Sequence, residues 1–343
     1  MARVYTFRQT SSNELGWHPE LGTGEGAGNY NEWFWLDGQF DEGYHYSLGL
    51  FGGARKSISL NIMSPDGTMH RGEQQFPDDA FKADPFGAAW GDNKVLGKLA
   101  PDGQPESFEL RLAAGDVAVD MFCKAVVVPG VKFTEDEPGY SYYNPLRKMA
   151  LGWWPLVPKA DADGALTVGG KRVKVKGGVY LERQLASMPL GGGAGQKTGQ
   201  AVWCWGHFYA GDYTAVWTDS AASEHYRYRH FTPFVLWKGN QVILSTFQFA
   251  GYVEKFGVDN DTGIPYPVVE SLKASDGITE LTAHFLPGKI IDHRGWYCRQ
   301  YSDVDVQVRR WGETESLRGA STHEWGAGAG WLPWPQPAQA TPS

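Results

Sequence analysis

The sequence predicts an all-β protein made of two antiparallel barrels or sandwiches packed together, with only a few short helices. Aromatic residues make up 14% of the chain, which also contains 44 glycines and 20 prolines, and this mixture favours strands and turns over long helices. Apolar and polar residues alternate in many segments, as around Ile58, Leu60 and Ile62. The chain has 343 residues, more than one hydrophobic core usually supports, so two domains are expected.

The composition suggests where the domains begin and end. A glycine string near the N-terminus predicts a leader over the first barrel, a second glycine-rich stretch at 191–199 predicts a linker, and the proline-rich C-terminus predicts an extended tail. The predicted organisation is a leader at 1–28, a first domain at 29–190, a second domain at 200–328 and a tail at 329–343.

Alternating segments bounded by turn residues give the elements in order. The predicted strands are 32–40, 44–51, 56–63, 106–113, 116–128, 166–168, 173–181, 201–208, 213–219, 231–238, 242–249, 278–285, 295–301 and 302–311. Residues 129–165 contain prolines and an aromatic cluster, and are interpreted as a long loop without strands that covers a site. Short helices are predicted at 219–229, 266–274 and 316–324.

Charge and cysteine content exclude several functional classes. The net charge of -8 and the pI of about 5.6 argue against nucleic acid or an anionic membrane as partner. The cysteines Cys123, Cys204 and Cys298 are widely spaced and form no C-x-x-C motif, so neither a disulfide framework nor a metal site is predicted. The N-terminus lacks an apolar signal segment, and no stretch approaches the roughly 18 apolar residues of a membrane span. We therefore expect a cytoplasmic protein without stable membrane insertion.

The stretch from Trp203 to Asp219 concentrates aromatic residues around a single histidine. If it forms two strands around the Gly211-Asp212 turn, Trp203, Trp205 and His207 share one face. An aromatic wall with one titratable group is typical of a pocket for a mostly apolar small molecule. The stretch is also compatible with an ordinary barrel core.

Three segments resemble a known family. They are Asn31-Glu-Trp-Phe-Trp-Leu-Asp-Gly38, Trp203-Cys-Trp-Gly-His-Phe208 and Tyr213-Thr-Ala-Val-Trp-Thr-Asp219, and they occur in the family's order. They are similar to segments of the double-lipocalin group of carotenoid 1,2-hydratases (hydroxyneurosporene synthases) and AttH-like proteins, which includes fungal decalin-forming Diels–Alderases. The resemblance implies two lipocalin-like (calycin) domains and a pocket or tunnel between barrels for a polyene, terpenoid or polyketide-like molecule. It implies no metal and no organic cofactor.

The chain departs from the family pattern after Gly178. The family usually carries an acidic residue there, within a Gly-Tyr-(His/Phe)-(Asp/Glu) segment, as the proton donor of the hydratases. Here the run is Gly178-Val-Tyr-Leu-Glu-Arg-Gln-Leu185, in which Glu182 lies one position away from the family's acid. The resemblance therefore implies the fold and leaves open which residue is the acid.

Protonating an alkene or polarising a carbonyl requires a carboxylic acid kept protonated by apolar surroundings. Acids near aromatic residues are Glu32, Asp37, Glu182, Asp212, Asp219 and Glu324. From these and the histidine of the aromatic stretch, the predicted catalytic residues are Glu182, His207, Glu324 and Glu32. The predicted substrate-binding residues are Trp33, Trp35, Tyr180, Trp203, Trp205, Tyr213 and Trp217.

Each of these polar residues also has a structural interpretation. Asp37 and Asp212 each stand beside a glycine in what could be a turn. Glu32 could pair with an arginine or a tryptophan N–H, Asp219 could cap a helix at 220–228, and His207 could be a hydrogen-bonded barrel residue.

Two functions are compatible with the sequence. The first is a cofactor-independent enzyme of lyase or isomerase type, a hydratase or cyclase, acting on a hydrophobic isoprenoid or polyketide-like intermediate by acid-assisted cyclisation, isomerisation or hydration. The alternative is a non-catalytic carrier of a small lipophilic molecule, because one fold can serve both functions. A buried acid that faces the pocket and has a raised pKa would favour the enzyme.

Overall fold

A computed structural model describes residues 17–19, 22, 30–128, 140–144, 149–187, 200–222, 230–258, 265–293 and 297–327. The chain divides into two compact units, unit 1 (Met1–Met188) and unit 2 (Pro189–Ser343). Within the described ranges, no helix has the length and apolar character needed to cross a membrane. Most of the predicted leader, the 191–199 linker and the 329–343 tail lie outside these ranges.

Unit 1 is one curled antiparallel sheet in which the first strand pairs with the last. Its strands are β1 (Asn31–Phe40), β2 (His45–Phe51), β3 (Ser57–Met63), β4 (Met69–Gln75), β5 (Phe81–Asp84), β6 (Gly87–Trp90), β7 (Asn93–Leu99), β8 (Pro105–Ala114), β9 (Val117–Val127), β10 (Tyr140–Asn144), β11 (Met149–Val168) and β12 (Lys171–Ala186). The order is β4-β3-β2-β1-β12-β11-β9-β8-β7-β6-β5, and β10 pairs with β11.

Unit 2 repeats this plan. Its strands are β13 (Gln200–Ala210), β14 (Tyr213–Ala222), β15 (His230–Phe231), β16 (Phe234–Lys238), β17 (Gln241–Thr246), β18 (Phe249–Val258), β19 (Pro265–Ser275), β20 (Thr279–Phe285), β21 (Lys289–His293), β22 (Tyr297–Arg310) and β23 (Glu313–Ala327). The order is β17-β16-β14-β13-β23-β22-β20-β19-β18, with β15 on β14 and β21 on β22. The sheet curls back on itself, since Thr279 Oγ1 donates to the carbonyl oxygen of Ile243 at 2.9 Å.

The predicted all-β class with two lipocalin-like sheets is confirmed, because each unit is one curled antiparallel sheet. Alternation along the strands decides which side chains each sheet buries. In β1, Phe34 and Leu36 point into the core of unit 1, while Trp33 and Trp35 point to the other face. In β13, Phe208 points into the core of unit 2 in the same way. Each unit therefore has its own apolar core inside its curled sheet.

The prediction of a strandless loop at 129–165 is wrong. Strand β10 and the long strand β11 occupy most of its second half. Strand β11 contains Pro155 and Pro158, and the pairing of β11 with β12 shifts register between Pro155 and Ala160. Proline is tolerated in a strand at such bulges, where no ladder hydrogen bond is lost.

The predicted helices at 266–274 and 316–324 are also wrong, and the described residues contain no α-helix. These segments belong to β19 and β23, and residues 219–222 belong to β14, whereas 223–229 lie outside the described ranges. Each segment has strand neighbours on both sides, so its backbone groups are satisfied by ladder pairing that the sequence does not display. The segments 295–301 and 302–311 form a single strand, β22.

Gly206 of β13 should not tolerate a side chain, because an added Cβ would meet the Trp217 ring and come within 2.8 Å of His323 Cβ. We expect Gly206→Ala to lower the free energy of unfolding of unit 2 by about 1–3 kcal/mol through overpacking. Gly251→Ala in β18 is the matched control, since nothing lies within 4 Å of its added Cβ. Urea denaturation measures both variants. Equal stability of the two would contradict the close packing of β13 against Trp217.

Candidate functional site

The two units carry the same register where their first and last strands pair. In unit 1, Trp35 of β1 lies opposite Glu182 of β12. In unit 2, Trp205 of β13 lies opposite Glu324 of β23. In both pairs the side chains point away from the core of their unit, because residues directly opposite each other share a face. We call this the outer face of each unit. Two of the predicted acids are thus equivalent positions in a repeated plan.

On the outer face of unit 1, Glu182 is completely buried and its oxygens accept several hydrogen bonds. Tyr180 Oη donates to Oε2 at 2.5 Å, Trp153 Nε1 donates to the same oxygen, and Gln184 Nε2 donates to Oε1. Three donors from β11 and β12 thus converge on this carboxyl group. Glu182 is therefore a fixed hydrogen-bond acceptor among aromatic side chains.

Asp37 is on the same outer face, in the middle of β1. Its Oδ2 accepts a hydrogen bond from Trp35 Nε1 at 2.7 Å, and the residue is 1% exposed. The alternative interpretation of Asp37 as a turn residue is therefore wrong. Turn chemistry does not apply because β1 continues to Phe40 without a break.

On the outer face of unit 2, Glu324 is held by an ion pair. Arg299 donates to Oε2 from its Nη2 at 2.6 Å and from Nε at 3.1 Å. Tyr297 Oη donates to the same oxygen at 2.5 Å, and Trp203 Nε1 donates to Oε1 at 3.0 Å. Two guanidinium N–H groups on one carboxylate oxygen orient the side chain. Glu324 is thus fixed in place beside the tryptophans of β13.

Glu32 lies on the inner face of unit 1 and is completely buried. Its carboxylate accepts hydrogen bonds from the His18 backbone N–H at 2.8 Å and from Tyr30 Oη at 2.8 Å, and lies 3.0 Å from His18 Nδ1. Arg183, also completely buried, places Nε 3.3 Å from it and its guanidinium over the Trp154 ring. The structural interpretation, an arginine partner, accounts for Glu32.

The remaining predicted residues fall on three different faces. The outer face of unit 1 carries Trp33, Trp35 and Tyr180, the outer face of unit 2 carries Trp203, Trp205 and His207, and the inner face of unit 2 carries Tyr213 and Trp217. The predicted sharing of one face by Trp203, Trp205 and His207 agrees with the pairing of β13. Their separation from Trp217 follows from parity along the β13–β14 hairpin.

Asp212 and Asp219 have different environments. Asp212 lies with Gly211, whose φ is 57°, in the exposed turn between β13 and β14. Asp219 is inside β14, opposite Cys204, so its interpretation as a helix cap is wrong. Asp219 has the parity of Trp217 and therefore faces the inside of the unit 2 barrel.

The inner face of unit 2 becomes polar at the end of the barrel where β13 begins. The strands that supply the apolar core supply five polar side chains there, by the same parity. These are Cys204 of β13, Asp219 of β14, Glu270 of β19, Gln300 of β22 and His323 of β23. Cys204 is opposite Asp219, and Gln300 is opposite His323. We call these five residues the polar end of the unit 2 barrel.

Glu270 is the carboxyl group at this polar end that has no hydrogen bond to any of the described residues. It is 8% exposed and lies opposite Phe285, a core residue whose ring centroid is 5.0 Å from that of His323. Burial raises the pKa of Glu270 to about 7. At neutral pH this side chain is therefore protonated in a large fraction of molecules.

Two other groups at the polar end are held neutral. Burial, together with the charge of His207, lowers the pKa of His323 to about 4. Burial raises the pKa of the Cys204 thiol well above its ordinary value, and the charges of Glu270 and Asp219 raise it further. The polar end therefore combines a weak acid, a neutral imidazole and a thiol that stays protonated.

The sequence analysis missed Glu270 because it assigned 266–274 to a helix. Interpreted as a strand, the same segment alternates so that Glu270, Leu272 and Ala274 share a face, and the last two are core residues. An acidic residue in line with core positions was the available signal.

A surface groove and the potential metal ligands add no further candidate site among the described residues. An open groove on unit 1 is lined by the exposed ion pairs Arg111–Glu109 and Arg172–Asp120, and contains none of the predicted site residues. Among the described residues, no group of three or more His, Cys, Asp or Glu side chains could hold a metal ion.

Solved structures with the same fold cover nearly the whole chain. An AttH protein of Nitrosomonas europaea matches with a TM-score of 0.60 and 14% identity over 94% of this chain and 98% of its own. The chain has the AttH-like fold. CghA, solved with Sch210972, matches with a TM-score of 0.62 and 12% identity over 87% of this chain and 88% of its own.

A third protein with the AttH-like fold is kievitone hydratase from Nectria haematococca, with a TM-score of 0.53 and 13% identity over 93% of this chain and 96% of its own. By sequence, no protein-family model and no curated protein matches the chain. The family resemblance seen in the tryptophan motifs therefore agrees with the fold, and identities this low carry no residue roles from one protein to another.

Removing the charge of Glu32 should destabilise unit 1, because the buried Arg183 guanidinium would lose its carboxylate. We expect Glu32→Gln to lower the free energy of unfolding by about 3 kcal/mol or more. Asp120→Asn is the control, since the Arg172–Asp120 pair is more than half exposed on both sides and should contribute less than about 1 kcal/mol. Denaturant melts of both variants measure the difference. If Glu32→Gln leaves the free energy of unfolding unchanged, the interpretation of Glu32 as a structural ion-pair partner is wrong.

Proposed function

We propose that this protein is a cofactor-independent enzyme that protonates a hydrophobic substrate at the polar end of the unit 2 barrel, with Glu270 as the general acid. The supporting observation is a carboxyl group that faces the barrel interior, is buried beside core side chains and has a pKa raised to about 7. A general acid works best when its pKa lies near the operating pH. A carrier of an apolar molecule needs no such group.

The other buried glutamates support this assignment by contrast. Glu32 and Glu324 each have an arginine partner, and Glu182 accepts three hydrogen bonds. Of these four glutamates, Glu270 is the one that has neither a hydrogen bond nor an ion pair with any described residue. The predicted catalytic roles of Glu32, Glu182 and Glu324 give way to Glu270 in this proposal.

The reaction class follows from the groups around Glu270. The acid donates a proton to an alkene or a carbonyl oxygen, and the neutral His323 imidazole across the Phe285 ring accepts a hydrogen bond or a proton from the substrate. Aromatic walls from Phe285 and Trp217 stabilise positive charge that develops on carbon. This chemistry serves hydration, isomerisation or cyclisation. The fold shared with kievitone hydratase is consistent with it.

Glu270→Gln tests the acid. It keeps the size and polarity of the side chain and removes the proton donor, so we expect turnover to fall by about 10²–10⁴-fold. Small molecules extracted from purified protein and identified by mass spectrometry should then shift from product in the wild type to unconverted substrate in the variant. Glu280→Gln is the control, because Glu280 forms an exposed ion pair with Arg309 on the next strand. Equal turnover in both variants would refute the role of Glu270.

The raised pKa also predicts a pH dependence of stability that needs no substrate. Between the ordinary value of 4.5 and about 7 the folded protein keeps the Glu270 proton while the unfolded chain loses it. The free energy of unfolding therefore falls as pH rises through this window, by up to about 3 kcal/mol. Glu270→Gln should lack this dependence. Urea denaturation of both proteins at about pH 5 and about pH 8 measures it. If stability changes with pH to the same extent in the wild type and in Glu270→Gln, the pKa of Glu270 is not raised.

A further inference from the structure

We propose that the polar end of the unit 2 barrel selects an uncharged, carbonyl-bearing lipophile and rejects the corresponding carboxylate. This inference names the substrate class for the site of the proposed function and rests on that function. It depends on the acidic groups that face the inside of the barrel and on the basic groups that face away from it.

The titratable groups on this inner face come from six strands. They are Cys204 of β13, Asp219 of β14, Tyr266 and Glu270 of β19, His293 of β21, Cys298 of β22 and His323 of β23. Tyr266 and His293 are in ring contact at 5.3 Å. Two carboxyl groups therefore lie along a face that also carries two thiols, a phenol and two imidazoles.

Lysine and arginine side chains are absent from this face in the described part of unit 2. Arg299 is next in sequence to Gln300 but points to the outer face, where it binds Glu324. Arg310 lies at the opposite end of the barrel, opposite Thr279. The other described basic side chains of unit 2 are exposed: Lys238, Lys255, Lys273, Lys289, Arg309 and Arg318. A ligand at the polar end therefore meets no lysine or arginine among the described residues.

The consequence for a bound head group is electrostatic. A carboxylate placed here would lose its hydration, meet the carboxyl groups of Asp219 and Glu270, and find no lysine or arginine counter-ion among the described residues. A ketone, aldehyde or ester has no charge to desolvate, and its oxygen accepts the proton or hydrogen bond that the buried Glu270 offers. The same polyene would thus bind as a carbonyl compound and be excluded as an acid.

Methyl retinoate and all-trans-retinoic acid are suitable probes, because they share one polyene and differ in the charge of the head group. Binding is measured by quenching of protein tryptophan fluorescence. At about pH 6 we expect the ester to bind the wild type at least about tenfold more tightly than the acid. As pH rises through 7, Glu270 ionises and ester binding should weaken.

Two variants locate the discrimination. Glu270→Gln should make the affinity for the ester independent of pH and reduce the ratio of ester affinity to acid affinity. Asp219→Asn should reduce the same ratio, because it removes the second carboxyl group. Glu280→Gln should behave as the wild type, since its side chain is on the exposed surface. Asp219→Asn also serves as the test if Glu270→Gln does not fold.

Three outcomes would overturn the inference in distinguishable ways. Retinoic acid binding as tightly as the ester, with both affinities altered by Glu270→Gln, would refute the substrate class and leave the site in place. If both probes bind and neither Glu270→Gln nor Asp219→Asn changes their affinities, the ligand does not bind at the polar end. That result would refute the proposed function as well. Failure of both probes to bind the wild type would count against both proposals.

Discussion

The pairing of the first strand with the last is the constraint on which the structure of each unit depends. In unit 1, β1 pairs with β12, and in unit 2, β13 pairs with β23. Each pairing joins segments from opposite ends of a unit and curls the meander between them, so that alternate residues enclose a core. The same register places Trp35 opposite Glu182 and Trp205 opposite Glu324. The repeated plan thus determines the core, the outer faces and the position of both glutamates.

The environment of each buried glutamate decides its chemistry. Glu324 and Glu32 are beside arginines, and Glu182 accepts hydrogen bonds from N–H and O–H donors. Glu270 faces core side chains without a donor among the described residues, and burial alone raises its pKa. The same side chain therefore meets arginines or hydrogen-bond donors at three positions and a core aromatic ring at the fourth.

Alternation and turn chemistry predicted strands such as β1–β3, β8, β9 and β20, because apolar and polar residues alternate along a half-buried strand, but β4–β7, β18 and β21 were not predicted. The predictions failed where local signals conflict with pairing. Pro155 and Pro158 suggested a loop, yet both stand where the pairing of β11 with β12 shifts register. The segment at 266–274 suggested a helix, yet β18 and β20 pair with it on both sides. Short apolar segments do not distinguish a helix from a strand, and partners distant in sequence decide between them.

The sequence alone determined the all-β class, the sharing of one face by Trp203, Trp205 and His207, and the family resemblance, since all three depend on residues close together in the chain. Only the tertiary structure decided what surrounds each carboxyl group. These surroundings depend on burial and on partners brought from other strands: Arg299 reaches Glu324 across a strand pair, while Phe285 lies opposite Glu270. The free energy of ionisation is a property of these spatial neighbours, and one sequence position does not contain them.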